Sequence, residues 1–116
     1  MTGVQTCALP IYTFMSSVRA KIPFTSKIEI ECEDIDMVKK AMRVGADIVM
    51  CDNMSIENIK EVVAYRNQNY PHILLEASGN VTLSTIKEIA LTGVDAISSG
   101  SIIHQANWID LSMKVE

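Results

Sequence analysis

The chain has 116 residues, 48% hydrophobic and 21% charged, with a formal net charge of −4. That suffices for one small domain but falls well short of the about 250 residues of a complete (β/α)8 barrel. Scattered Lys and Arg in an acidic chain argue against a nucleic-acid partner, and no apolar stretch approaches the roughly 20 residues of a membrane span.

Cys7, Cys32 and Cys51 have no CxxC spacing, so neither a disulfide framework nor a zinc site is suggested. Free thiols fit a reducing, cytoplasmic setting. The beginning of the chain stands apart. Met1 to Ile11, MTGVQTCALPI, has no clear helical or strand period and no basic flank of a signal peptide. Thr2 to Ile11 matches, codon by codon, the translation of a common sequencing adapter, ACT GGA GTT CAG ACG TGT GCT CTT CCG ATC. Residues 1–12 are therefore expected to be adapter-derived, the alternative being a disordered native tail, and residues 13–116 to form the folded domain.

Thr13 to Lys21 reads as the tail of a helix closed before Pro23. Lys27 to Cys32, KIEIEC, alternates as a strand, with Ile28 and Ile30 on one face and Lys27, Glu29 and Glu31 on the other. Asp34 suits an N-cap for a helix carrying Ile35, Val38, Ala41 and Met42, and Gly45 ends it. Asp47 to Asp52, DIVMCD, is a nearly continuous apolar run, as in a strand buried on both sides. Ser55 precedes a second helix running to about Gln68, and Tyr70-Pro71 marks a turn. His72 to Ala77 is a third strand. Thr82 is expected to cap a third helix with Leu83, Ile86, Ile89 and Ala90 inward, closed by Gly93. Val94 to Ser98 is a fourth strand. Ile102 to Trp108 suits a helical turn, and Ile109, Leu111, Met113 and Val115 alternate as in a final strand.

Such strand–helix repeats imply βαβ units and a parallel sheet, either an open doubly wound sheet or an arc of a barrel. In both, the carboxyl ends of the strands form the functional rim. Four polar features fall there: Glu31; Asp52-Asn53; Glu76 with Ser78-Gly79-Asn80; and Ser99-Gly100-Ser101. Glu31 and Asp52, on adjacent strands, suit a sugar diol or a metal-bound diphosphate, whereas Glu29 and Glu33 read as solvated or salt-bridged acids. Each glycine turn lets backbone N–H groups approach a phosphate, serine hydroxyls add donors, and the helix near Thr82 would add its positive end. His104 suits a phosphate contact or a plain surface position equally well. His72, at the opposite strand end, reads as structural, and Cys51 as core.

The segments KIEIECE (Lys27 to Glu33), ADIVMCDNMS (Ala46 to Ser55), LEASGN (Leu75 to Asn80), TGVDAIS (Thr92 to Ser98), GSIIH (Gly100 to His104) and IDLSMK (Ile109 to Lys114) resemble, in order and spacing, the motifs of the quinolinate phosphoribosyltransferase family. The resemblance covers about Thr13 to Glu116. It implies the C-terminal part of an incomplete, TIM-like α/β barrel with parallel strands. It implies an enzyme that converts quinolinate and phosphoribosyl pyrophosphate to nicotinate mononucleotide, pyrophosphate and CO2 in NAD biosynthesis. Mg2+ would arrive with phosphoribosyl pyrophosphate rather than on a direct protein site, and the partners would be a homodimer or higher homo-oligomer. On this resemblance Glu31 and Asp52 match the acids that hold the ribose and the metal-bound donor. Ser78, Gly79 and Asn80 match the first phosphate turn, Ser99, Gly100 and Ser101 the second, and Glu76 and His104 have supporting roles. Many relatives carry a second glycine where Asn80 stands and a Gly-Ala pair where Gly100-Ser101 stands; both changes are mild. The family's cationic motifs, which clamp the substrate carboxylates and the pyrophosphate, have no counterpart here, so the chain by itself is expected to be inactive. Two other readings are a related barrel paralogue associated with metal transport and a non-catalytic phosphate-binding module.

Overall fold

The computed structural model describes residues 8–100, with side chains described from Tyr12 onward. Ser101, His104, the helical turn expected over Ile102 to Trp108 and the final strand from Ile109 lie outside the described residues. The elements run α1 (Ala8–Lys21), β1 (Glu29–Cys32), α2 (Ile35–Arg43), β2 (Ile48–Asp52), α3 (Ile56–Asn69), β3 (Leu74–Ser78), α4 (Ile86–Ala90) and β4 (Ala96–Ile97). All four strands are parallel, in the order β1-β2-β3-β4.

Local chemistry explains most boundaries. Asp34 Oδ1 accepts the Met37 N–H at 2.8 Å, so the expected cap is in place, and Ser55 Oγ caps α3 in the same way, accepting the Asn58 N–H at 3.2 Å. Gly45, at φ +91°, turns the chain out of α2. The strands are shorter or shifted, β1 starting at Glu29 rather than Lys27, β3 running Leu74–Ser78 rather than His72 to Ala77 and β4 only Ala96–Ile97 within Val94 to Ser98, and two helices differ more. Helix α1 begins at Ala8, inside the segment in which no period was discerned; Pro10 falls in its first turn, where the missing N–H has no intrahelical partner to lose. The third expected helix is shorter than its pattern. Thr82 does not cap it; Thr82 and Thr85 close a turn through their hydroxyls at 3.2 Å, and the helix proper is Ile86–Ala90. Leu83 is 84% exposed and Ala90 is exposed, so of the four positions expected inward only Ile89 is fully buried and Ile86 half-buried.

One face of the sheet carries Ile30, Cys32, Val49, Cys51, Leu75 and Ala77, all buried with Val38, Ala41 and Met42 of α2 and Ile59, Val62 and Val63 of α3. The other face carries Glu29, Glu31, Ile48, Met50, Asp52, Leu74, Glu76 and Ser78, all exposed or half-buried. Within this chain β2 is buried on its helix-facing side, and Ile48 and Met50 on the other side are half-buried. Sequential strand order with a single covered face is an arc of a barrel; a doubly wound sheet would reverse order and cover both faces.

A repeated clamp closes the amino ends of the strands. Arg19 reaches Asp47 Oδ2 at 2.7 Å, 28 residues on, and the Gly45 carbonyl at 2.6 Å, while Asp47 also accepts the Ile28 N–H at 2.8 Å. Arg66 reaches Asp95 Oδ2 at 2.7 Å, 29 residues on, and the Gly93 carbonyl at 3.2 Å, while Asp95 also accepts the Leu75 N–H at 2.8 Å. Each aspartate N–H returns to the carbonyl of the same partner, Ile28 or Leu75, at 2.9 Å. The guanidinium of Arg19 holds the Asp47 carboxyl below its ordinary range, helped by the Ile28 N–H and opposed by burial. Burial pushes Asp95 upward, but the Leu75 N–H and Arg66 outweigh it and lower it. Arg66 itself is buried and also donates to the Ile73 carbonyl at 2.8 Å.

Candidate active site

Strand register sorts the open face into layers. Glu29, Ile48 and Leu74 form the lowest, Glu31, Met50, Glu76 and Ala96 the next, and Asp52 with Ser78 the uppermost. Alternation along each strand points all of them away from the helices. Glu31 and Asp52 are thus one layer apart on neighbouring strands, close enough for a side-chain hydrogen bond. That bond, with the charge of Asp52, pushes the Glu31 carboxyl above its ordinary value. Two carboxylates this close repel when both are ionised, which favours a cation or hydroxyl donors between them.

Glu76 lies mid-strand rather than at the end of β3, two residues below Ser78. It accepts hydrogen bonds from Glu29 and from the Ser98 side chain, which hold it below its ordinary value. Glu29 is pushed up to about 7, chiefly by its bond to Glu76, then by desolvation and by the Glu76 charge. Glu29 is exposed, as the reading of a solvated acid expects, and its side-chain partner is another acid rather than a cation. The alternation of KIEIEC already placed it beside Glu31 on one face; the pairing with Glu76 was not legible there. Both ion pairs among the described residues, Arg19–Asp47 and Arg66–Asp95, lie at the opposite strand ends.

The first glycine turn follows Ser78. Gly79 has φ +78° and Asn80 φ +53°, two successive left-handed residues that only glycine and asparagine adopt readily. A Cβ on Gly79 would collide with Oδ1 of Asn53, lie 2.7 Å from its Cγ and 3.1 Å from its backbone N. Asn53 itself has φ +54°, and its N–H donates to the Ser78 carbonyl at 2.9 Å. The second turn begins at Ser99, whose hydroxyl donates to the Val81 carbonyl at 2.9 Å and so ties the two turns together. Gly100 follows and is exposed. With α4 starting only at Ile86, the helix end expected to support the first turn is five residues long and set back from it.

Glu31, Asp52, Ser78, Gly79, Asn80, Ser99 and Gly100 thus converge on one rim, with Glu76 beneath them. His72, at the other end, is exposed and meets Tyr70 edge-on at 6.5 Å. Cys32 and Cys51 are buried in the helix-facing layer, where desolvation pushes their thiols up to about 12 and about 11, so Cys51 is core as expected. The sequence reading passed over Asn53 as a contact of the glycine turn, and over the clamp residues Arg19, Asp47, Arg66 and Asp95. The pattern Gly-x-Asp before a strand, at Gly45 to Asp47 and again at Gly93 to Asp95, was the available signal for the clamp.

The family model for the quinolinate phosphoribosyl transferase C-terminal domain matches residues 4–114. The chain belongs to this family. It is 42% identical over 93 residues to the nicotinate-nucleotide pyrophosphorylase [carboxylating] of Dictyostelium discoideum, covering 80% of this chain and 31% of that one. It is 39% identical over 101 residues to a probable nicotinate-nucleotide pyrophosphorylase [carboxylating] of Synechocystis, covering 87% and 34%. The solved nicotinate-nucleotide pyrophosphorylase of Francisella tularensis superposes with a TM-score of 0.72 at 36% identity, over 89% of this chain and 36% of its own. The chain therefore spans about a third of the length of the relatives it matches. Within this family the open sheet face described above is the inward face of a TIM-like barrel arc. Among the described residues, no helix is long and apolar enough to cross a membrane.

Proposed function

We propose that this chain supplies the ribose- and phosphate-binding part of an enzyme that joins quinolinate to phosphoribosyl pyrophosphate, releasing nicotinate mononucleotide, pyrophosphate and CO2. One observation carries the reading: the Glu31–Asp52 pair and the two glycine turns occupy one rim of a parallel sheet. Glu31 and Asp52 receive the ribose hydroxyls, whose two donors relieve the repulsion between the neighbouring carboxylates. Gly79, Asn80 and Gly100 present backbone N–H groups to the 5′-phosphate, Ser78 adds a hydroxyl, and Ser99, whose hydroxyl is bonded to the Val81 carbonyl, holds the second turn against the first; Ser101 and His104 are assigned to the same phosphate on the resemblance alone. Glu76 supports this floor from below. Mg2+, a hard cation suited to substrate phosphates and one or two carboxylates, would arrive with phosphoribosyl pyrophosphate, with Glu31 and Asp52 near enough to hold the metal-bound donor, and it would offset charge on the pyrophosphate leaving group. The dicarboxylate substrate and the pyrophosphate require cations, and the described Arg–Asp pairs sit at the far strand ends. The clamp is therefore assigned to segments outside this chain, in the same or a neighbouring subunit of a homo-oligomer, and the chain alone does not turn over.

The test is a chimera in which residues 13–116 replace the matching segment of the Francisella tularensis relative, assayed for quinolinate-dependent CO2 release. Turnover is expected, with Glu31→Ala and Asp52→Ala each lowering kcat/KM by a factor on the order of 10². A folded chimera that releases no CO2 refutes the assignment; release undiminished in both variants refutes the site.

A further inference from the structure

We infer that Asn53 is a positioning residue that sets the first phosphate turn from the neighbouring strand. This rests on the functional reading above and deepens it. Three observations meet at this side chain. Gly79 and Asn80 are consecutive left-handed residues, a conformation whose backbone alone has no regular ladder to hold it. The Asn53 carboxamide occupies the space beside Gly79 that a side chain there would fill, so it walls the turn on its β2 side. The Asn53 backbone, left-handed as well, bonds to the Ser78 carbonyl at 2.9 Å, the last residue before the turn.

Asn53 also follows Asp52 directly. One residue therefore links the carboxylate that receives ribose to the amides that receive phosphate, and it fixes their separation through a single peptide unit. Asn53 touches neither reacting atom in this arrangement; it acts through Gly79. Only a residue tolerant of a left-handed backbone with a short, flat side chain meets both demands, which is the chemistry of asparagine.

The experiment uses Asn53→Gly in the active chimera, since glycine keeps the left-handed backbone and removes only the wall. The expected result is a KM for phosphoribosyl pyrophosphate raised about tenfold, a misplacement effect at a site built for position. The KM for quinolinate should stay within about twofold and the melting temperature within about 2 °C, because only the phosphate turn is released. Equal changes in both KM values, or a change that merely follows lost thermal stability, overturn the inference. A chimera inactive with Asn53 intact would fall on the functional reading instead. In that case the chain itself is titrated with inorganic phosphate while the Gly79 and Asn80 amides are followed by NMR. Shifts that Asn53→Gly abolishes support the inference, and shifts that survive it, or no shifts in either form, overturn it.

Discussion

Replacing Gly79 with alanine tests the geometry of the rim against a control built into the same fold. Gly45 and Gly79 both have left-handed backbones, φ +91° and +78°, so an alanine at either carries a strain of about 1–2 kcal/mol. Their surroundings differ. A Cβ on Gly45 meets nothing within 4 Å, whereas one on Gly79 collides with the Asn53 carboxamide and lies 3.1 Å from its backbone N. Overpacking of this kind costs about 1–3 kcal/mol more, most of it from displacing the Asn53 carboxamide, whose Oδ1 and Cγ are the nearest atoms. Gly45→Ala is therefore expected to destabilise by about 1–2 kcal/mol and Gly79→Ala by about 2–5 kcal/mol. Urea unfolding followed by circular dichroism measures both. In an Asn53→Ala background Oδ1 and Cγ are gone, and the excess cost of Gly79→Ala should shrink to less than about 1 kcal/mol. Equal costs for the two alanines, or an excess that survives Asn53→Ala, would refute the packing of Asn53 on the turn.

Other expectations follow from the same contacts. Arg66→Met should destabilise by about 3 kcal/mol, because it strands the buried Ile73 carbonyl while Asp95, partly solvated, recovers some hydration; urea unfolding of the pair Arg66→Met and Arg66→Met/Asp95→Asn should show that removing the aspartate returns part of the loss. The shared proton of Glu29 and Glu76 gives the chain an unusual pH response. Glu29 binds its proton up to about 7 in the native state but only to about 4.5 when unfolded, so its contribution is present below about 4.5 and fades as pH rises to about 7. Urea midpoints should fall over that window in the wild type and stay flatter in Glu29→Gln; parallel profiles would exclude the shared proton. With Cys7 replaced by serine, the thiols of Cys32 and Cys51 should be inert to a disulfide reagent at pH 8 and react only on unfolding, as thiols pushed up to about 12 and about 11 by burial must.

The sequence was most legible where one signal had one meaning. Asp34 suited a cap and Ser55 stood at the head of the next helix, Cys51 was odd-parity beside Asp52, and four polar strand ends in a βα repeat placed the rim. It misled where pattern and packing compete. Leu83 and Ala90 fit a helical stripe, yet α4 is too short to bury them. The unbroken apolar run of β2 marks a strand whose second face, half-buried within this chain, is the inward face of a barrel arc. Pairings across strands were the least legible part. Glu29 meets Glu76 across an intervening strand, and Asn53 walls Gly79, through register that no local pattern encodes.

The clamp has a consequence for how such a molecule changes over time. Arg19 with Asp47 and Arg66 with Asp95 hold the strand register at one end, while ligand chemistry gathers at the other. Mutational burden is thereby partitioned. Turns such as those after Ser78 and Ile97 can be rewritten for new ligands without disturbing what aligns the strands. Because the motif recurs with near-identical offsets, 28 and 29 residues from arginine to aspartate, the same device registers β1 on β2 and β3 on β4.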